Sequence, residues 1–436
     1  MLIYVVEPGD TLTGIGAAYG LSPERIAADN SLDPAQPLVV GQTLVLRFPV
    51  RTQTVAPGDS LFGIAQSTGV PIVTLLQNNP LLLKTNNLFP GQTLVLEYPA
   101  PEGGSISTNG YVYPNVDSKV LQQALPYLTY LTVFTYGFTP SGALIVPPDD
   151  DVVALARSYG VAPVLHLSTL GPEGVFSSEL GQGLLHNPGL WPGLTAQLLA
   201  VMAQKGYVGL DVDFEFLPAN TRQAYVDFIA YLREALSPRG YFVTVALPPK
   251  TAADQPGLLY EGADYRGLGA AADFCLLMAY EWGYTYGPAM AVSPLPQVQA
   301  VLDYALTEIP AEKLLLGMPN YGYDFGLPYV RGESRATSIG NVEAVDLARR
   351  MGASIRYNET VQAPYFFYTN SEGQVREVWF EDARSVEAKA RLLAQHGLPG
   401  QAFWNLMRPF PQSWLVLSSL YSIERAYIPP REEATE

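Results

Sequence analysis

The chain is poor in the residues that build covalent staples, metal sites and polyanion-binding faces. It has a single cysteine, Cys275, in 436 residues, which excludes an internal disulfide and a cysteine zinc cluster. Cys275 lies in the apolar run Phe274-Cys-Leu-Leu-Met278 and reads as a packing residue rather than a nucleophile. The three histidines, His166, His186 and His396, are far apart and share no ligand spacing; neither a metal nor a cofactor is expected. Lysine and arginine number 25 against 41 acidic residues, a net charge of −16 with no basic run. Nucleic acid and anionic membrane are therefore poor partners. No stretch reaches the ~18 uninterrupted apolar residues of a membrane-spanning helix, so no membrane insertion is expected. What is plentiful is apolar side chains, 48 % of the total, enough for sizeable cores. The length suits a barrel with something smaller attached.

Against this apolar background one segment is unusual. Gly209-Leu-Asp-Val-Asp-Phe-Glu215 places Asp211, Asp213 and Glu215 at every second position. A strand over Val208–Glu215 would send all three carboxyls to one face, with Val212 and Phe214 on the other. A solvated edge strand would explain such a row, but the flanks argue otherwise. Lys205-Gly206-Tyr207 reads as a helix end and turn. Beyond the acids, Asn220 to Leu236 has helical spacing, with Tyr225, Phe228, Ile229, Leu232 and Leu236 on one face. The acids thus fall at the C-terminal end of the strand in a βα unit, where barrel enzymes keep their catalytic groups.

The N-terminal quarter repeats itself. Val6-Glu-Pro-Gly-Asp-Thr-Leu12 recurs as Val55-Ala-Pro-Gly-Asp-Ser-Leu61, and Gly41-Gln-Thr-Leu-Val-Leu46 as Gly91-Gln-Thr-Leu-Val-Leu96. Asn30 matches Asn79, and the offset grows by one residue between the first pair and the second. Each copy reads strand, helix, helix, strand, the helix starting at Asp10 or Asp59 as N-cap after a Pro-Gly turn. Pro99 to Ser105 is a Pro/Gly linker. Strands are then expected at Gly110–Tyr113, Leu131–Tyr136, Ala162–Leu167, Val208–Glu215, Phe242–Leu247, Phe274–Tyr280, Lys313–Pro319 and Gln401–Asn405, with helices between most of them: an α/β chain forming a (β/α)8 barrel. Tyr365-Phe-Phe-Tyr368 and Val375-Arg-Glu-Val-Trp379 flank a turn and suggest a small insertion, mainly β, between the seventh and eighth strands.

These motifs carry a resemblance. Val208-Gly-Leu-Asp-Val-Asp-Phe-Glu215 resembles the DGxDxDxE signature of family 18 glycoside hydrolases, with Val208 in place of the first Asp. Met278-Ala-Tyr280-Glu281 is similar to that family's MxYD strand, Gly317-Met-Pro-Asn-Tyr321 to its seventh strand, and Ala402-Phe-Trp404 to its eighth. The two repeats resemble LysM modules. The implied organisation is LysM modules at 2–48 and 52–98, a linker at 99–106, a catalytic barrel at 107–428 and an acidic tail at 429–436.

The resemblance implies roles. Glu215 would be the general acid, its pKa raised by the crowding of Asp211 and Asp213. Family members use the substrate's own 2-acetamido oxygen as nucleophile. Asp213 would then hold the acetamido N–H, Asp211 would share a proton with Asp213, and Tyr280 would donate to the acetamido oxygen. Trp404 would floor the sugar site, with Tyr321 and Trp282 as candidate wall residues. Glu281 stands where the family has Asp. In the LysM modules the resemblance nominates Gly9, Asp10, Thr11 and Leu12 with Pro37 and Leu38, and Gly58, Asp59, Ser60 and Leu61 with Phe89 and Pro90. Caps and core packing would equally explain the Asp and Leu side chains. Two LysM modules before such a barrel resemble spore cortex-lytic glucosaminidases. That implies a monomeric retaining N-acetylglucosaminidase acting on peptidoglycan that contains muramic-δ-lactam, located in the spore coat, cortex or cell envelope. A chitinase, and a catalytically silent glycan-binding coat protein, are the alternatives. No charged segment followed by an apolar one opens the chain, so no signal peptide is expected.

Overall fold

A computed structural model describes residues 1–85 and 87–426; the expected acidic tail lies outside the described residues. Eight parallel strands close into a barrel: Ser105–Val112, Tyr130–Phe138, Ala162–Ser168, Gly209–Asp213, Phe242–Leu247, Phe274–Leu277, Leu314–Pro319 and Gly400–Trp404. Closure comes from the first strand, which pairs with both the second and the eighth. That first strand begins at Ser105, inside the expected linker, because Ser105 pairs with Ser422 near the chain's end. The helix after the fourth strand, Arg222–Leu236, buries Tyr225, Phe228, Ile229, Leu232 and Leu236, the face set by the spacing. Phe214 stacks on Tyr225 with centroids 5.6 Å apart, so the face of the acid-bearing segment opposite the carboxyls is sealed by this helix.

Between the seventh and eighth barrel strands lies a five-stranded antiparallel sheet, in the order Thr337–Ile339, Gly322–Gly326, Val375–Trp379, Ala363–Thr369, Arg356–Asn358, with one helix, Asn341–Met351. Among the described residues, no helix is long and apolar enough to cross a membrane.

Each N-terminal repeat pairs its two strands antiparallel, Leu2–Val5 with Thr43–Leu46 and Arg51–Thr54 with Thr93–Glu97. Two helices pack against each pair, and the second copy adds a single turn, Leu82–Thr85, in the stretch that holds the inserted residue. Asn30 and Asn79 explain their recurrence. Each buried amide accepts from the backbone N–H of the last strand, at 2.7 Å from Val45 and 2.8 Å from Val95, and donates back to its own helix. The helix caps fall one residue later than expected. Thr11 and Ser60 accept from the N–H groups of Gly14 and Gly63, each at 3.0 Å. Asp10 and Asp59 instead close the preceding turn, accepting from the N–H groups of Glu7 and Ala56. A hydroxyl on the extended residue reaches the first helical turn, while the Asp one position earlier faces back along the loop.

The repeats are docked, not loosely tethered. Val39 is buried among Ile339, Leu347, Ile355 and Phe380 of the insertion and the segment after it. The Ile355 N–H donates to the Val40 carbonyl at 2.9 Å, and Arg349 donates to the Pro37 carbonyl at 3.1 Å. Gly41 sits at φ 84 and Gly91 at φ 87, but a Cβ on Gly41 would collide with the Ile355 carbonyl, whereas one on Gly91 meets nothing within 4 Å. The pair separates backbone strain from docking. Gly91→Ala is expected to cost about 1–2 kcal/mol for left-handed backbone, and Gly41→Ala a further ~1–3 kcal/mol for the overpacked contact. Equal shifts in thermal unfolding of the two variants would show that this contact does not hold the module in solution.

Candidate active site

The catalytic end of the barrel is built by strand ends. His166 lies opposite Asp211, and Ser168 opposite Asp213, in the third and fourth strands. The fourth strand ends at Asp213, two residues short of expectation. Its pairing with the fifth strand stops at Val212, and the next N–H, of Phe214, points to the Tyr225 hydroxyl instead. Glu215 therefore sits just past the strand, before Phe216 at φ 55. The sixth strand likewise ends at Leu277, leaving Tyr280 and Glu281 in a bent segment with Glu281 at φ 69. A left-handed glutamate is strained and persists only where its surroundings hold it. The Tyr321 hydroxyl donates to Glu281 Oε1, and the Tyr323 hydroxyl lies 3.2 Å from the same oxygen.

A cavity of about 530 Å³ opens here. Its walls include Asp213, Glu215, Tyr280, Glu281, Tyr321 and Trp404, so most of the catalytic-site candidates of the sequence meet in one place. Asp211 lies beneath it, 1 % exposed, held by the Tyr111 hydroxyl at 2.8 Å. His166 Nε2 stands 3.5 Å from Asp213 and 3.7 Å from Asp211, and its Nδ1 is 2.7 Å from Thr135 Oγ1. Trp404 is braced by Phe134 at 4.8 Å and Tyr111 at 5.7 Å between ring centroids. Trp282 is elsewhere: it lines a separate recess of about 120 Å³ that shares Glu215, Tyr280 and Glu281 with the main cavity. The cause is backbone pairing, because the Trp282 N–H bonds to Val292 and turns the chain away from the main cavity.

Burial and charge set the ionisation. Glu215 is raised to about 8, first by burial, then by Asp213 and Glu281. The sequence alone points to crowding by Asp211 and Asp213; in the structure burial outweighs charge, and Glu281 takes the part expected of Asp211. Asp211 is raised to about 6 by burial, partly offset by His166 and the Tyr111 hydroxyl. Burial also raises Glu281, against the opposing pull of its two tyrosines. Tyr280 is pushed well above the ordinary tyrosine value and stays a donor at any working pH. Among the described residues the Glu215 carboxyl accepts no hydrogen bond, and neither does Oδ1 of Asp211 or Asp213.

Sequence reasoning missed Tyr111, Phe134, His166, Phe176 and Tyr323 in this site. For His166 a signal existed. It alternates with Leu165 and Leu167 in an apolar strand, the same pattern that exposed the acids. Phe176 comes from a loop with no periodicity to read.

The LysM candidates divide into two kinds. Leu12, Leu38 and Leu61 are half-buried against the module cores. Gly9, Thr11, Pro37, Gly58, Asp59, Ser60, Phe89 and Pro90 are exposed, and Asp10 is half-buried. Phe89 is 60 % exposed, while Val39, its counterpart counted from the Gly-Gln pair, is buried in the docked interface.

Carboxyls at the C-terminal mouth of a (β/α)8 barrel, one of them raised to about 8, meet the requirements of glycoside hydrolysis. The chain belongs to glycosyl hydrolases family 18, whose model matches residues 193–408, and carries LysM domains at residues 4–47 and 54–97. It is 38 % identical to the cortical fragment-lytic enzyme of Bacillus subtilis (strain 168), covering 97 % of this chain and 99 % of that protein. The crystal structure of the Bacillus cereus spore cortex-lytic enzyme SleL is similar at TM-score 0.82 and 34 % identity, covering 97 % of this chain and 98 % of that one. That of the Bacillus megaterium QM B1551 spore cortex-lytic enzyme SleL gives TM-score 0.82 at 32 % identity, covering 98 % and 99 %.

The ionisation makes the alkaline limb of the rate profile testable. A general acid works only while protonated, so kcat/KM should fall as pH rises through about 8, the value of Glu215. Asp213→Asn removes a nearby negative charge and should move that limb to lower pH. A limb that stays in place in this variant would show that another group titrates there.

Proposed function

We propose that the chain is a retaining, substrate-assisted N-acetylglucosaminidase that cuts spore-cortex peptidoglycan, with its LysM modules gripping the glycan. The observation that carries this reading is the state of the cavity carboxyls. Glu215 is raised to about 8 and accepts no hydrogen bond among the described residues, while Glu281 is engaged by two tyrosine hydroxyls. The first can give a proton; the second is a poor nucleophile. Glu215 protonates the glycosidic oxygen as the C1–O bond breaks, and the acetamido oxygen of the same sugar closes on C1. Asp213 accepts the acetamido N–H, Tyr280 donates to its oxygen, and Trp404 supports the ring. Asp211 shares a proton with Asp213 through their unpartnered oxygens. Water then attacks C1 as the bond from C1 to the acetamido oxygen breaks, and gives its proton to Glu215, which restores the starting state with configuration retained. The place of action is the spore envelope.

The mechanism also selects the bond. A muramic-δ-lactam ties its nitrogen into a ring and cannot swing a carbonyl oxygen beneath C1. An N-acetylmuramic acid would crowd its lactyl group against the pocket floored by Trp404. N-acetylglucosamine should therefore occupy the reacting position, and products should carry it at their reducing ends. Borohydride reduction of a digest, followed by acid hydrolysis, is expected to yield glucosaminitol. Recovery of mainly muramicitol would move the cut to the other bond.

A further inference from the structure

The loop after the sixth barrel strand leaves the cavity through Glu281 and folds back on itself. Trp282 and Gly283 pair with Val292 and Ala291. Its tip carries two tyrosines to solvent, Tyr284 at 42 % and Tyr286 at 58 % exposure, edge to face with centroids 6.4 Å apart. The insertion supports this tip. The Ala336 N–H donates to the Thr285 carbonyl at 2.7 Å, and the Tyr329 hydroxyl donates to the Tyr286 carbonyl at 3.1 Å. Thr285 also ties the tip to the catalytic cavity, since its hydroxyl is 3.5 Å from the Tyr323 hydroxyl, which itself reaches Glu281.

A cation stands against this tip. The Arg335 guanidinium lies over the Tyr286 ring, 5.8 Å from its centroid. Arg331 is exposed nearby in sequence, and Glu333 between them pairs with neither. Arg408 donates to Ser338 Oγ at 3.0 Å, and Ser338 lies opposite Tyr323 in the insertion's sheet. None of the three arginines has a carboxylate partner among the described residues. Arg335 thus stands over an exposed aromatic face with no carboxylate to neutralise it among the described residues. Tyrosine faces pack against sugar rings, and a guanidinium recognises carboxylate with a fork of donors.

We propose that Tyr284, Tyr286 and Arg335 form an outer subsite that binds a carboxylate-bearing sugar next to the cleaved bond, such as a muramyl residue with its lactyl or peptide carboxylate. This rests on the peptidoglycan reading above and goes beyond it by naming what distinguishes that polymer from neutral chitin. The observable is the ratio of kcat/KM on muropeptide oligosaccharides to that on chitooligosaccharides of equal length. Arg335→Gln is expected to lower the ratio about fivefold, a charge-assisted hydrogen bond discounted for solvent exposure, and Arg335→Lys to restore part of it. Amidating the muropeptide carboxylates should bring the wild-type ratio down to the Arg335→Gln level and leave that variant's ratio where it was. If the full-length chain cuts muropeptides and the ratio does not change in Arg335→Gln, the subsite is refuted alone. A wild-type chain that cuts only chitooligosaccharides overturns the peptidoglycan reading and the subsite with it.

Discussion

Glu215→Gln is expected to lower turnover on an unactivated glycan by about 10²–10⁴-fold, the usual loss for a general acid, without loss of the fold. Both halves follow from its setting. The carboxyl is mostly neutral below about 8, so a neutral amide of the same shape replaces a neutral acid and buries no new charge. Nor does the change break a hydrogen bond, because Glu215 accepts none among the described residues. Thermal unfolding of the variant should therefore match the parent. An aryl glycoside with a good leaving group needs less proton donation and should lose much less rate than the natural linkage. Near-normal turnover on the natural linkage would remove Glu215 from the acid role.

The second large effect is on the substrate. Replacing the 2-acetamido group of the reacting sugar with hydroxyl is expected to abolish measurable hydrolysis, a loss of at least about 10³-fold. An internal nucleophile has an effective molarity of roughly 10⁵–10⁸ M, which an intermolecular replacement does not match. In the proposed mechanism Asp213 would be left without an N–H to hold and Tyr280 without an acceptor. Glu281 is weakened as a substitute by the Tyr321 and Tyr323 hydroxyls that bond to it. The same mechanism requires the first-formed product to keep its anomeric configuration. Proton NMR of the early product showing the inverted anomer, or efficient cleavage of the 2-hydroxy analogue, would rule the mechanism out.

What is local or strictly periodic was legible in the string of residues. Alternation over Gly209–Glu215 put the carboxyls on one face, and the 3.6-residue spacing of Tyr225 to Leu236 set the buried face of the next helix. Self-similarity set the two repeats, and ordered motifs set the barrel. These are short-range consequences of strand and helix geometry, so a string of residues carries them. The folded chain supplied the rest. It brought Tyr111 and His166 to Asp211, 100 and 45 positions away in the numbering, and Tyr321 and Tyr323 to Glu281. It set Trp282 in a recess adjoining the main cavity and buried Val39 in a docked face while leaving Phe89 in solvent. It also made burial, more than charge, the main cause of the raised Glu215 pKa. Each of these depends on which surfaces meet when a barrel closes and an insertion folds over a module. That is set by packing between distant segments and by desolvation, neither of which has a period along the chain.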